Sequence, residues 1–439
     1  MFFFFMLLAQ KFGKESFGQF SYYFAIASIV FVLFNLGGEF YQIREFTKKE
    51  SLKVFQNIFI FKTLIATLVI IGALVSQKST YVVILVISFY LESIISIFRS
   101  SLYKNGLYYH ESILIIIEKS AFILLVIFNV FTLNDLVLMY SAFIVAKLVY
   151  LVVAIKKHYK FKYLASSLRL FDLKFLQRYV FNSWSYMLHA LLVIIFVQID
   201  IIMLKWMGVP FKEIGLYSAA IKIYMTLVVF ADILFKQYYP KISHLIHTND
   251  MTRLRTLTLK IQSMNIYLSL FFSIMTMLFA HEIIAFSFGS EFFGASNMLV
   301  LLSIIIVFRF SMYTYTALLS ASSFNSIKVI TSLTCVFINI GLNYVLIPEY
   351  SAYGALVATI VTEFVLVLMY KISSLKIIFT NFITIKEIFS VSTVLLSAYF
   401  LFFYKIEMGL KLLVAALALM IFVDNIKQIR TTLAFEGLK

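Results

Sequence analysis

Apolar runs about as long as a bilayer is thick recur along the whole chain, separated by short connections that hold most of its charges. A helix needs about 20 apolar residues to cross hydrocarbon. On that criterion the pattern predicts membrane spans at 17–36, 54–76, 79–99, 112–131, 135–155, 179–206, 215–238, 261–282, 295–319, 325–347, 351–372, 389–404 and 409–424. Ahead of them stands MFFFFMLLAQ, an apolar segment of about half a span. It lacks the basic start and small-residue cleavage site of a signal peptide, so it is read as the end of a first helix whose shortness suggests a late start site. The expected total is 14 spans, numbered here in chain order with the short one as span 1. Pro210, Pro240 and Pro348 all fall at span ends, which predicts continuous helices rather than the broken helices of some transporters.

Composition agrees with lipid as the main solvent. Hydrophobic residues make up 62% of the 439 residues and charged residues 13%, against about 25% charged in soluble domains. The net charge of +16 would suggest nucleic acid in a soluble protein. Here the basic residues sort by connection instead. Those in or beside connections following even-numbered spans number 25, against 7 following odd-numbered ones. The positive-inside rule then places both termini and the basic stretch 156–178 in the cytoplasm, and nucleic acid is set aside as a partner. Trp184 and Trp206 suit the two aromatic belts from opposite ends of span 7.

Chemical signatures are scarce. The single cysteine, Cys335, excludes an internal disulfide or a redox pair. There is no GxxxxGK[ST], GxSxG or DxD motif, and His281-Glu282 is followed by Ile283, Ile284 and Ala285 rather than the rest of a zinc motif. No connection exceeds about 25 residues, leaving no room for a soluble catalytic domain. The expectation is a non-enzyme with neither cofactor nor metal.

Two echoes point to duplication. FGQFS at 17–21 resembles IGLYS at 214–218, and FIVAKLVY at 143–150 resembles TIVTEFVL at 359–366. The predicted architecture is all-α and polytopic, with two pseudo-symmetric six-helix lobes of the same orientation. Residues 1–155 form the first lobe, 156–178 a basic cytoplasmic linker, 179–372 the second lobe, and 373–439 an appended pair of helices with a cytoplasmic tail.

Ten charges fall inside spans: Lys62, Lys119, Lys147, Lys222, Arg309, Glu92, Glu118, Asp200, Asp232 and Glu363. Each costs about 2.5–3.5 kcal/mol at mid-bilayer on insertion scales, so each needs a partner or a wet cavity. Depth within consecutive hairpins predicts three level pairs, Lys62 with Glu92, Lys147 with Glu118, and Lys222 with Asp200. Structural bridging and substrate binding both remain open for these six. Lys119, Asp232, Arg309 and Glu363 are left over. Lys119 and Arg309 are therefore candidates for an anionic substrate, Arg309 above all because guanidinium forks onto phosphate oxygens. The competing reading pairs Arg309 with Glu363.

Polar stripes run along three spans. Span 10 carries Arg309, Tyr313, Thr316 and Ser320 with Tyr315 beside them. Span 7 carries Asn182, Ser185, Tyr186 and His189, and span 11 carries Lys328, Ser332, Cys335, Asn339 and Asn343. Such stripes either join helices by hydrogen bonds or line a polar path. An Arg and Tyr side also suits a phosphate with sugars stacked on rings. His189, with Asp232 and Glu363, is the candidate for ion coupling.

QKFGKESFGQFSYYFAIASIVFVLFNLGGEFYQIRE resembles the opening of the polysaccharide-repeat-unit flippases, the Wzx-like branch of the multidrug/oligosaccharidyl-lipid/polysaccharide exporter superfamily. DIIMLKWMGVPFKEIGLYSAAIKI, with YYPKIS beyond it, is similar to that family's D-x-x-x-L…GxYSxAxK…P-x-[IL]-S. NIGLNYVLIPEYSAYGALVATIVTEF resembles its N-x-x-L-N-x-x-L-I-P…G-x-x-G-A-x-x-A-T. The matches place Asp200, Gly215, Tyr217, Ser218, Lys222, Asn339, Asn343, Pro348 and Gly354 on the family pattern, with Ser351 where glycine is often found.

The resemblance implies a bundle of 14 helices in two lobes around a cavity that opens to alternate faces of a bacterial inner membrane. It implies an oligosaccharide on undecaprenyl diphosphate as cargo, and a polymerase and chain-length proteins as pathway partners. Substrate contacts are expected from Arg309, Lys119, Lys222, Lys62, Tyr313, Asn182 and Tyr186. Two alternatives share the fold, a cation-coupled drug exporter and a peptidoglycan-precursor flippase. A membrane-embedded polymerase or acyltransferase is the alternative from another class.

Overall fold

A computed structural model describes residues 2–35, 42, 45, 51–75, 80–130, 135–158, 172–322, 324–378, 393, 409, 411–412, 414–416 and 418–420. Its regular elements are helices: α1 (Phe2–Asn35), α2 (Ser51–Val75), α3 (Thr80–Lys104), α4 (Tyr108–Phe128), α5 (Leu136–His158), α6 (Leu173–Trp206), α7 (Phe211–His247), α8 (Met251–Leu278), α9 (Ala280–Phe288), α10 (Ala295–Ala321) and α11 (Asn325–Ser374), with a 3-10 turn at Ser290–Phe292. Seven of the described helices are long and apolar enough to cross a membrane. The chain is an all-α, multi-pass membrane protein. Span 13 falls almost wholly outside the described residues, as does part of span 14.

Two helices are each broken into two legs. Gly13, at φ 74° and ψ 175°, divides α1 into the short first helix and span 2, a backbone conformation open to glycine because it lacks Cβ. Ser351, at φ 50° and ψ −131°, divides α11 into spans 11 and 12, three residues after Pro348. At Gly354 the legs meet so closely that a Cβ would stand 2.3 Å from the Leu346 carbonyl oxygen. Ser351 Oγ is held 2.5 Å from Glu213 Oε2 in the first turn of α7.

Pro240 stands just past the end of span 8 (215–238), but the helix does not stop with the span. The proline lies inside α7, which continues to His247. At 37 residues this helix is about 55 Å long, well over the thickness of the hydrocarbon core, so the proline sits beyond the apolar stretch. Span 9 likewise ends at Leu278, and the residues expected to finish it form the separate short helix α9.

The chain packs as two compact units, residues 3–202 and 203–439, divided inside α6. In the first unit, Phe4 on the short leg of α1 meets Phe20, Phe122 and Phe143 at ring distances of 5.5, 5.3 and 4.8 Å. The opening stretch from Phe2 is thus a packed helix. A second apolar cluster, including Val54, Ile58, Ile95, Phe98, Tyr150 and Tyr179, joins α2, α3, α5 and the start of α6. The second unit is built around α10, whose apolar window is 83% buried. Residues 298–308 of α10 are apolar on nearly every side, the pattern of a helix surrounded by others. Arg309 lies on this central helix, so its charge must be answered from within the protein.

Candidate functional site

In the first unit the buried charges form a chain across three helices. Lys147 Nζ on α5 lies 3.2 Å from Glu92 Oε2 on α3, and donates to the Ser88 carbonyl at 3.0 Å with the Ser88 hydroxyl at 3.1 Å. Arg99, two turns along α3, reaches Glu92 at 3.5 Å and Glu111 on α4 at 3.0 Å. Lys119, its side chain 47% exposed, bonds its neighbour Glu118 at 2.8 Å. Lys62 on α2 is fully buried and donates to the Ser93 carbonyl at 2.7 Å and the Ser96 hydroxyl at 2.9 Å.

The expected pairs Lys62–Glu92 and Lys147–Glu118 are therefore replaced by others. Depth along the membrane was matched, but depth leaves direction around the helix free. At 3.6 residues per turn, Ser93, Ser96 and Ser100 share one side of α3, while Ser88, Glu92 and Arg99 lie about 90° away. Lys62 meets the serine side, and the carboxylate side faces α5 and α4. Of the third expected pair, Asp200 is buried in the first unit and Lys222 belongs to the second.

In the second unit Arg309 Nη2 donates to Glu363 Oε1, joining α10 to the second leg of α11. The Glu363 side chain is 1% exposed and that of Arg309 15%. Tyr224 on α7 and Tyr313 one turn along α10 stand in the electrostatic range of this pair, as do Cys335 and Tyr370 on α11. Asp232 pairs with Lys236 one turn along α7 at 2.6 Å and also faces Tyr313. Phe235 lies 5.5 Å from the Tyr239 ring and 5.8 Å from that of Tyr313.

The stripes on α10 and on the first leg of α11 meet at one end. Lys328 Nζ donates to Ser320 Oγ at 2.9 Å, and the Tyr239 hydroxyl donates to the Ser320 carbonyl at 3.4 Å. The Ser332 hydroxyl lies near that of Tyr370 on the second leg of α11. Other members of the stripes are used locally: Thr316 bonds the Met312 carbonyl and Asn343 bonds Asn339. Asn182 is exposed on α6. The side chains of Ser185, Tyr186 and His189 lie outside the described residues.

Sequence reasoning missed Arg99, Glu111 and Lys371 as interior charges because they stand beside connections. The signal was present for Arg99, which lies seven residues from Glu92 and so on the same side of its helix. Lys371 is buried, with its ammonium 5.7 Å from the Tyr315 ring centre.

This helical arrangement is similar to that of the Lipid II flippase MurJ in its inward closed conformation. The likeness spans 97% of this chain and 96% of that one, with a TM-score of 0.70 and 16% identity. It is also similar to an inward-facing multidrug resistance MATE family transporter of the MOP superfamily, over 85% and 93% of the chains, TM-score 0.68 and 14% identity. A MOP superfamily transporter from Pyrococcus furiosus matches over 91% of each chain, with a TM-score of 0.55 and 13% identity. The protein is thus a multi-pass membrane protein with the fold of the MOP superfamily. Residues 1–246, more than half of the chain, match the polysaccharide biosynthesis protein family, and the chain belongs to that family. No curated protein matches its sequence.

Proposed function

We propose that this protein is a flippase for a lipid-linked oligosaccharide, carrying its diphosphate and sugars across a bacterial inner membrane by alternating access of two lobes. The observation that carries the reading is a polysaccharide biosynthesis family chain with the fold of a lipid II flippase along 97% of its length. The polar head of such a lipid cannot cross hydrocarbon unaided, because stripping water from its charges is prohibitive. The cargo in this reading is an undecaprenyl-diphosphate-linked repeat unit of a surface polysaccharide such as O-antigen or capsule. In this reading both termini and the linker 156–178 face the cytoplasm, and a polymerase and chain-length proteins of the same pathway act on the repeat unit at the outer face, downstream of export.

Arg309, Lys119, Lys222, Lys62, Tyr313, Asn182 and Tyr186 are the proposed substrate contacts, with Asp200, Asp232, Glu363 and His189 serving coupling or structural charge. A cation exporter would call for interior acids without bases. Asp232 and Glu363 each face one, Lys236 and Arg309, which weighs against that alternative.

The test is mass spectrometry of undecaprenyl-linked glycans in a deletion strain of the native host, with and without a membrane-impermeant oxidant. Single repeat units accumulating in a protected pool are expected. An unchanged glycan pool with normal surface polysaccharide would refute the reading.

A further inference from the structure

Five cations of the two units each face a carboxylate. In the first unit Arg99, Lys147 and Lys119 face Glu92, Glu111 and Glu118. In the second, Arg309 faces Glu363 and Lys236 faces Asp232. Lys328 differs. It is half-buried at the start of α11, its hydrogen-bond partner is the neutral hydroxyl of Ser320, and no carboxylate stands within ion-pair distance of it among the described residues.

Its surroundings are suited to an anion with a ring or chain attached. Ser320 is fixed from behind by the Tyr239 hydroxyl on its carbonyl. Ser332, one turn along α11 on the same side, adds a second hydroxyl, near that of Tyr370. Phe235 and Tyr239 stack beside these groups at the rim of an apolar cluster containing Ile242, Leu254, Leu257, Ala317 and Leu318. The same stripe runs inward through Cys335 toward the Arg309–Glu363 pair. A primary ammonium with two hydroxyls offers rotatable donors to phosphate oxygens. An anion supplied from outside the protein would give Lys328 the counter-charge that the described residues do not provide.

We propose that Lys328, Ser320 and Ser332 form a binding site for the phosphate of a lipid, at the end of the second unit where the α10–α11 connection lies. Resting on the flippase reading, the site takes the diphosphate of the lipid-linked cargo as it arrives from the cytoplasmic side. An anionic phospholipid headgroup carries the same chemistry.

The experiment uses the full-length protein in nanodiscs and three probes: undecaprenyl diphosphate, undecaprenol and phosphatidylglycerol, read by native mass spectrometry. Lys328→Gln should weaken undecaprenyl diphosphate binding about 10-fold or more, the scale of one charge-assisted hydrogen bond. Lys328→Arg should retain most of the binding, and undecaprenol should bind both variants equally. A loss confined to phosphatidylglycerol would keep the phosphate site and assign it to bulk lipid. Unchanged binding of both phosphate lipids to Lys328→Gln would overturn the site. If that variant does not fold, Ser320→Ala combined with Ser332→Ala gives the same reading with the lysine intact. Failure of the site with accumulated repeat units in the deletion strain leaves the flippase standing. No accumulation in that strain removes the flippase reading itself, whatever Lys328 binds.

Discussion

Lys147 Nζ lies 3.2 Å from Glu92 Oε2, tying α5 to α3 inside the first unit. The second unit holds a matching contact of opposite polarity, with the base on the earlier helix and the acid on the later. The echo of FIVAKLVY by TIVTEFVL aligns Lys147 with Glu363, and at that offset Glu92 falls one residue from Arg309. Each predicted six-helix lobe thus closes its fourth and sixth helices on an ion pair, with the signs exchanged between the two.

The first pair should behave as a unit. Lys147→Met leaves the partly buried Glu92 carboxylate with Arg99 as its ion-pair partner. Breaking a fully buried pair from one side costs about 3 kcal/mol or more, and the partial exposure of Glu92 makes the expected loss smaller. A drop in thermal unfolding temperature is expected for Lys147→Met and for Glu92→Gln, with a smaller drop for the double variant than the sum of the singles. Additive losses would show that the two groups do not depend on one another.

Arg309→Ala should abolish or strongly impair transport while leaving membrane insertion intact. Arg309→Lys keeps the charge but loses the planar fork, so a partial defect is expected. Complementation of the deletion strain, with the amount of protein in the membrane measured alongside, checks both. Normal transport by Arg309→Ala would remove this residue from the mechanism.

The α11 break gives contrasting expectations at two neighbouring positions. Gly354→Ala would drive its Cβ into the backbone of Leu346 and Ile347, at 2.3 to 2.9 Å, and should be strongly destabilising because backbone cannot step aside. Ser351→Gly relieves a positive φ but loses the contact with Glu213, so opposing effects of about 1 kcal/mol should nearly cancel. Ser351→Val meets both penalties. Unfolding temperatures should rank wild type and Ser351→Gly together, with Ser351→Val and Gly354→Ala well below them.

A pH effect is expected where Lys411 Nζ bonds Glu282 Oε1 at 2.8 Å on α9. Burial alone would raise the Glu282 pKa, but the Lys411 hydrogen bond and charge outweigh it, and the net shift is below the ordinary 4.5. A depressed acid contributes stability that is present above its unfolded pKa and lost as pH falls through the folded one. A fluorophore on Leu412→Cys should keep constant anisotropy from pH 8 to about pH 5 and loosen below that. Glu282→Gln should show the loose state throughout. An identical titration in that variant would disprove the tether.

The sequence by itself determined the solvent, the helical class and most span positions, because crossing hydrocarbon demands long apolar runs whose backbone bonds close within each helix. It also contained the family, through motifs such as IGLYS and LNYVLIP. Only the tertiary structure decided which charges meet. Depth is one coordinate and can be read along the chain, but a side chain also points in a direction around its helix, and neighbours are chosen by packing. That is why Glu92 pairs with Lys147 rather than Lys62, why Arg309 is answered by Glu363, and why Lys328, which in sequence looks like one more basic residue beside a connection, stands apart from any acid among the described residues.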